Sequence, residues 1–258
     1  MRLVTSFAAI AVGTLGLSVA GAQDSGAYMI PADTPANIRS AVESSARSDE
    51  QRARDAGRKP AEIMTLAGIG EGDNIIELAS FGHYYTTMLV EAVGPDGHVD
   101  MVDMPWIEPF GGDPARAFDA AHDNATFHQV HYNEANLPSG VDAVLCVLFY
   151  HDLHRDNESD TVDTADMNAR IFAALRPGGI YLIVDHKAED GSGWRDGTTL
   201  HRIGVETIRE EVAAAGFELV EDSDLLANPD DDHTVVVRDP AIRGNTDRAV
   251  LVFRKPEA

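Results

Sequence analysis

An α/β fold built on one mostly parallel sheet is predicted by three features of this 258-residue sequence. Short apolar runs with β-branched residues alternate with segments of helical period along most of the chain. One run, Val141–Phe149 (VDAVLCVLF), is nearly all apolar, as a strand covered on both faces must be. The last two runs are joined by a long polar segment without a convincing helix. That predicts an antiparallel final strand, because another parallel strand would need a crossover.

The elements follow in chain order. Met1–Ala22 carries one Arg at position 2, then an apolar stretch diluted by Thr5, Ser6, Gly13, Thr14, Gly16 and Ser18, and then Ala20-Gly21-Ala22. This is the layout of a signal peptide over residues 1–22, cleaved after Ala22, which predicts a periplasmic or secreted protein. A spanning helix needs about 20 mostly apolar residues, so no membrane association is expected after cleavage. Residues 23–48 read as a polar N-terminal arm with one short helix near Ile38–Ala46, and residues 49–258 as the domain.

Within the domain, Asp49–Gly68 has apolar residues at helical spacing: Ile63, Met64, Leu66 and Ala67. Asn74–Ala79 is a buried strand, Tyr84–Val93 a helix, and Gly94-Pro-Asp-Gly97 a turn into a second strand, His98–Asp103. Pro114–Asp123 is helical with Asp113 as its N-cap, and Thr126–His131 alternates as a third strand. After the apolar fourth strand, the helix Ala165–Leu175 stops at Arg176-Pro-Gly-Gly179 and Ile180–Asp185 is the fifth strand. The helix Val205–Ala215 ends at Gly216, and Phe217–Asp222 and Ala249–Arg254 complete seven strands.

Composition narrows the partners. There are 43 acidic against 20 basic residues, a formal net charge of -23. Nucleic-acid binding needs cationic surface to release counterions from phosphates, so no nucleic acid is expected as a general partner. Anionic lipid is excluded on the same ground. The apolar fraction of 44% supplies a real core. Cys146 is the only cysteine, so no intrachain disulfide forms, and its apolar run marks it as a buried small hydrophobe.

In doubly wound sheets, ligands bind outside the carboxyl ends of the strands, near the switch in strand order. Function is therefore sought just after Ala79, Asp103, Phe149 and Asp185. The first strand leads through Glu77-Leu-Ala-Ser-Phe-Gly-His83 into a helix, and the second ends on Asp103, a carboxylate placed to accept both hydroxyls of a ribose. The fourth is followed by Tyr150-His151-Asp152-Leu-His154 and the fifth by Asp185-His186-Lys187. Two His–Asp pairs at neighbouring strand ends predict a general base or a metal site. His201 and Asp231-Asp232-His233 are further candidates. No H-x-x-x-H or H-E-x-x-H spacing occurs, so no residue is assigned a metal. His98, His122, His128 and His131 read as surface or strand-edge residues without a role.

The stretches RxRDAGRKPAEIMTLAGIGEGDNIIEL, GHYYTTMLVEAVGPDGHVDMVD, LFYHDLH, LRPGGIYLIVDHKAEDGSG, LHRIGVETIREEVAAAGFELV and LANPDDDHTVVVRDPAIRGNTDRAVLVFRKP run from Arg52 to Pro256. Their order resembles the class I S-adenosylmethionine (SAM)-dependent methyltransferases. More narrowly it resembles a bacterial family of exported, predicted methyltransferases of unassigned substrate. RPGG and the spacing from Glu77 to Asp103 are general to the superfamily; YHD, DHKA and DDHT belong to the narrower family. The resemblance implies a Rossmann-like doubly wound seven-stranded sheet, mostly parallel with an antiparallel last strand.

It also implies SAM as cofactor and a small-molecule methyl acceptor. Glu77 then stands as the acid of the first motif, and Ala79, Phe81 and His83 stand where its three glycines are expected, with Ser80 and Gly82 between them. Asp103 matches the ribose-binding acid, and Asn133 stands where an acid often contacts the adenine amine. Side chains at Phe81 and His83 are expected to obstruct the methionine moiety. Catalysis would rest on His151 or His186 removing the acceptor's proton, oriented by Asp152 and Asp185. Two other readings remain open: a non-enzymatic periplasmic binding or accessory protein on the same fold, and a metal-dependent enzyme using His151, Asp185, His186, His201 or His233.

Overall fold

The computed structural model describes residues 28–155 and 160–257. The expected signal peptide, with its cleavage after Ala22, lies outside the described residues.

Seven runs of extended chain pair into one sheet: β1 (Asn74–Leu78), β2 (His98–Asp103), β3 (Ala125–Gln129), β4 (Val141–Val147), β5 (Leu175–His186), β6 (Glu218–Ser223) and β7 (Arg248–Arg254). Their order is β3-β2-β1-β4-β5-β7-β6. The first five run parallel, and β7 is antiparallel to both β5 and β6. The antiparallel last strand matches the expectation from its helix-free connection. Strand order reverses at β1 and β4, and Leu78 pairs with both Val102 and Cys146 there.

Successive side chains of a strand point to opposite faces. Ile75, Met101, Leu145 and Leu182 enter one core layer; Ile76, Val102, Cys146 and Ile183 enter the other. The first layer is closed by α1 (Ala36–Glu43), α4 (Pro60–Leu66) and α5 (Thr86–Val93), the second by α7 (Thr164–Ala174) and α8 (Val205–Ala214). Among the described residues, no helix is long and apolar enough to cross a membrane.

The described part of the N-terminal arm packs on the domain. Ile38, Ala41 and Val42 of α1 are buried in the first layer. Arg47 forms a buried ion pair with Asp55, which also accepts a hydrogen bond from Tyr84 (2.6 Å). Burying either charge without its partner typically costs about 3–5 kcal/mol.

Three elements differ from the sequence reading. The helical stretch 49–68 is broken into α2 (Asp49–Arg52), α3 (Asp55–Arg58) and α4. Lys59 takes a left-handed conformation (φ 46°) between the last two. The helix expected from Pro114 is the second half of a longer one, α6 (Glu108–Ala121). Pro109 suits its first turn. Asp113 is therefore no cap: it lies inside the helix and pairs with Arg116 on the surface. Finally, β5 begins at Leu175, so the expected turn Arg176–Gly179 is absorbed into the strand. The positive φ of Gly178 and a register shift opposite Val141 and Ala143 accommodate it.

Candidate functional site

The ends of β1 and β2 converge on the loop Ala79–Tyr85. Ala79 (φ 57°), Gly82 (φ 82°) and His83 (φ 48°) all lie in the left-handed region. Two of these carry a Cβ, so the backbone keeps a glycine-type path without glycine at the first and third motif positions. A Cβ at Gly82 would meet nothing within 4 Å, so the loop is open at that point.

Phe81 and His83 both lie against α6. The Phe81 Cβ sits where Gly111 has no side chain: a Cβ there would approach it to 2.7 Å. The Phe81 side chain is 46% exposed, so its ring fills no closed cavity. His83 packs on Phe118 in a tilted ring contact at 4.9 Å between centroids, and burial pushes its pKa down. The expected obstruction of the crevice is not what these contacts describe.

Beneath the loop, Glu77 and Asp103 are buried. Burial drives the Glu77 carboxyl up to about 8, against a hydrogen bond from Thr86 (2.6 Å) and with the nearby Asp103 charge adding to the rise. Burial likewise raises Asp103 to about 6, offset in part by the Ser80 N–H, which donates to its Oδ1 (2.6 Å). Asp103 Oδ2 and Ser80 Oγ are buried with no hydrogen-bond partner. Such orphaned atoms cost about 1–3 kcal/mol each. The Ser80 hydroxyl is close enough to the Asp103 carboxyl to help hold its pKa down, so the two form a buried polar pair whose remaining acceptor capacity, at Oδ2, suits a hydroxyl donor.

The ends of β4 and β5 hold the second half of the site. The apolar β4 ends at Val147, and the positive φ of Leu148 (57°) turns the chain toward a 3₁₀ segment, Tyr150–His154. This swings His151 over Asp185. The carboxylate of Asp185 accepts three hydrogen bonds: from His151 N–H (2.7 Å), from His151 Nδ1 (2.8 Å) and from His186 N–H (2.8 Å). Burial disfavours a charged His151 ring, but Asp185 outweighs it and the His151 pKa is raised. The same contact overrides burial at Asp185 and holds its carboxyl low.

With Nδ1 fixed, His151 Nε2 faces His201 Nδ1 at 3.2 Å and Asp152 Oδ2 at 3.6 Å. Burial pushes Asp152 up, against the pull of His151 and Arg155. His201 sits in the loop between β5 and α8 with a left-handed backbone (φ 56°). Burial, His151 and Arg238 press its pKa down to about 4. His151, Asp152 and His201 thus bring one ligand atom each within 4.8 Å of one another.

The other expected residues separate. His186 turns its Nδ1 to Thr246 (2.7 Å), and burial drives it down to about 3, so it stays neutral and engaged at ordinary pH. Asp231 is bound by the fully buried Arg202 (3.0 Å), and His233 by Asp247 (3.1 Å). The DDH stretch is therefore a strut pinning its loop to the β7 entrance. Asn133 is also engaged: its Nδ2 donates to Thr161 O (3.1 Å) and its Oδ1 accepts from Asp163 N–H (2.8 Å). His98 and His128 pair across strands with Thr126 and Asp100, respectively.

Other residues at the site gave no signal in the sequence reading. Trp106, just after β2, stacks on Phe149 at the end of β4 (5.9 Å), and the Arg155 guanidinium lies over the Trp106 ring at 4.2 Å from its centroid. This stack links the ends of β2 and β4. Arg54 and Arg58 crowd the Tyr84 ring at 4.9 and 4.6 Å. Only folding brings Trp106 to Phe149, so no local pattern announces it.

The fold is found in solved structures. An N-methyltransferase, NodS, from Bradyrhizobium japonicum superposes with a TM-score of 0.54 at 14% identity, covering 81% of this chain and 99% of that one. A SAM-dependent methyltransferase from Mesorhizobium loti gives 0.55 at 15% identity, covering 78% and 99%. The chain has the class I methyltransferase fold. No family model and no curated protein matches the sequence. The methyltransferase fold is also that of the [4+2]-cyclase SpnF, which superposes with a TM-score of 0.55 at 18% identity, covering 84% of this chain and 86% of that one. Fold alone thus leaves the reaction to be argued from the site.

Proposed function

We propose that the protein is a SAM-dependent methyltransferase acting on a small molecule, working in the periplasm or outside the cell after cleavage at Ala22. The observation that carries this reading is the buried pair Asp103 and Ser80, with Asp103 Oδ2 left without a hydrogen bond of good geometry, at the β1 and β2 ends of a methyltransferase fold. They fit the ribose hydroxyls of SAM. The left-handed turn at Ala79, Gly82 and His83 would let the backbone come close to the rest of the cofactor. When bound, SAM supplies an electrophilic methyl group on a sulfonium that needs no activation by the protein.

The chain's own task is then alignment and proton removal. His151, made more basic by Asp185, is the residue placed to take a proton from an oxygen or nitrogen acceptor. Asp185 orients that ring, and its other nitrogen, Nε2, is bordered by Asp152 and hydrogen-bonded to His201 Nδ1, which an acceptor must displace. His186, neutral and bonded to Thr246, packs behind the base and does not act as a second one. The acidic surface fits an acceptor that is not a nucleic acid.

Isothermal titration with SAM and with S-adenosylhomocysteine tests the reading. Both are expected to bind, and Asp103→Ala is expected to abolish binding while leaving the circular dichroism spectrum unchanged. Absence of both heat and thermal shift at millimolar ligand would remove the proposal.

A further inference from the structure

The structure assigns a divalent transition-metal site to His151 Nε2, His201 Nδ1 and Asp152, at the carboxyl ends of β4 and β5. The two imidazole nitrogens are 3.2 Å apart, and the Asp152 oxygens lie 3.6 Å from His151 Nε2 and 3.8 Å from His201 Nδ1. Three ligands bound at zinc-like lengths of about 2.0–2.2 Å stand roughly 3.3 Å from each other. Oδ2 is the oxygen that faces His151 and Oδ1 the one that faces His201, so a small rotation of the Asp152 carboxylate and a small inward shift close the triangle on an ion.

Two further features point the same way. Asp152 Oδ1 is buried with no hydrogen-bond partner. And His151 is backed by Asp185, which takes its Nδ1–H and aims the Nε2 lone pair into the triangle. A carboxylate behind a ligating histidine fixes its tautomer and raises its donor strength. Nitrogen donors with a single carboxylate suit zinc, iron or cobalt; magnesium and calcium ask for more oxygen ligands. Three protein ligands leave coordination positions open, and these would take an oxygen donor of a small molecule, such as a hydroxyl or carboxylate.

The site shares no residue with Glu77 and Asp103, so cobalt binding can be measured in the absence of SAM. If both readings hold, the ion takes over the task given above to His151, because a bound oxygen becomes more acidic on the metal.

One local contact opposes a cation. Arg238 lies against His201 Nε2, on the surface. For His201 to ligate through Nδ1 its proton must move to Nε2, and Arg238 must swing away. Arg155, 3.6 Å from Asp152 Oδ1, is the other guanidinium nearby.

The test uses untagged protein stripped with chelator and titrated with Co²⁺ alone, read by visible d–d absorption and by equilibrium dialysis. One equivalent is expected to bind with a d–d spectrum. His201→Ala and Asp152→Asn, both at partly exposed positions, are expected to lose that spectrum while circular dichroism stays native. Asp185→Asn is expected to weaken binding about 10–100-fold. Arg238→Ala is expected to tighten it several-fold by removing a nearby positive charge. Substoichiometric cobalt in the wild type, or cobalt retained unchanged by His201→Ala and Asp152→Asn, would overturn the assignment. Titration of His201→Ala with SAM separates a failure here from a failure at the other end of the crevice.

Discussion

Glu77 illustrates how a single buried side chain sets a pH dependence. Its carboxyl titrates near 8 in the fold because burial penalises the charge, against about 4.3 in an unfolded chain. Between these values the folded state holds a proton that the unfolded state has released, so its contribution falls as pH rises, by about 1.4 kcal/mol per pH unit, and is lost above about 8. The buried, neutral His186 acts in the opposite sense, but below its ordinary value of 6.5. His151 and His128, whose pKa values are raised above 6.5, act in the same sense as Glu77, so urea midpoints at pH 7 and pH 8 are compared between the wild type and Glu77→Gln. The wild type is expected to lose stability across that interval, and Glu77→Gln to lose less; equal losses would remove Glu77 as the source. At this scale the sequence located Glu77, Asp103, His151 and Asp185 at strand ends, because strand ends are written in local pattern. The pairing of His151 with His201, 50 residues apart, was not legible there, since only the turn at Leu148 and the loop after β5 bring the rings together.

At the scale of elements, the loop after β1 and helix α6 are one mechanical unit. Phe81 Cβ occupies the space above Gly111, where an added Cβ would come within 2.7 Å. Gly111→Ala is expected to destabilise by about 1–3 kcal/mol through overpacking. In a Phe81→Ala background the clash remains with the alanine Cβ, so the cost should persist, whereas Phe81→Gly should relieve it. Additivity with Phe81→Gly in a double-mutant cycle would show that the two do not touch. The seven strands and the reversal of the last one were legible because strand burial leaves a period of two or an unbroken apolar run. The start of α6 was not. Gly111, Gly112 and Pro114 dilute its helical pattern, and the packing of Phe81 on Gly111 is invisible to a local reading. The same holds for the run 49–68, whose apolar spacing is helical but whose axis breaks at Lys59.

For the whole molecule, the net charge of -23 is a self-repulsion spread over the surface. Raising ionic strength from about 0.01 M to 0.15 M shortens the screening length from roughly 30 Å to 8 Å. The melting temperature is expected to rise over that range; a fall would mean that the surface ion pairs, such as Arg116 with Glu108, outweigh the repulsion. Beneath this surface the sheet carries one more property. Cys146 is the sole sulfhydryl of the sequence and is fully buried in β4, at the middle of the sheet. A thiol reagent can reach it only when the layer of α7 and α8 lifts from the sheet or the sheet itself opens. Its labelling rate is therefore a clock for that opening, read from the unmodified protein. Any ligand that ties the ends of β1 and β4 together should slow that clock, whatever reaction the ligand takes part in.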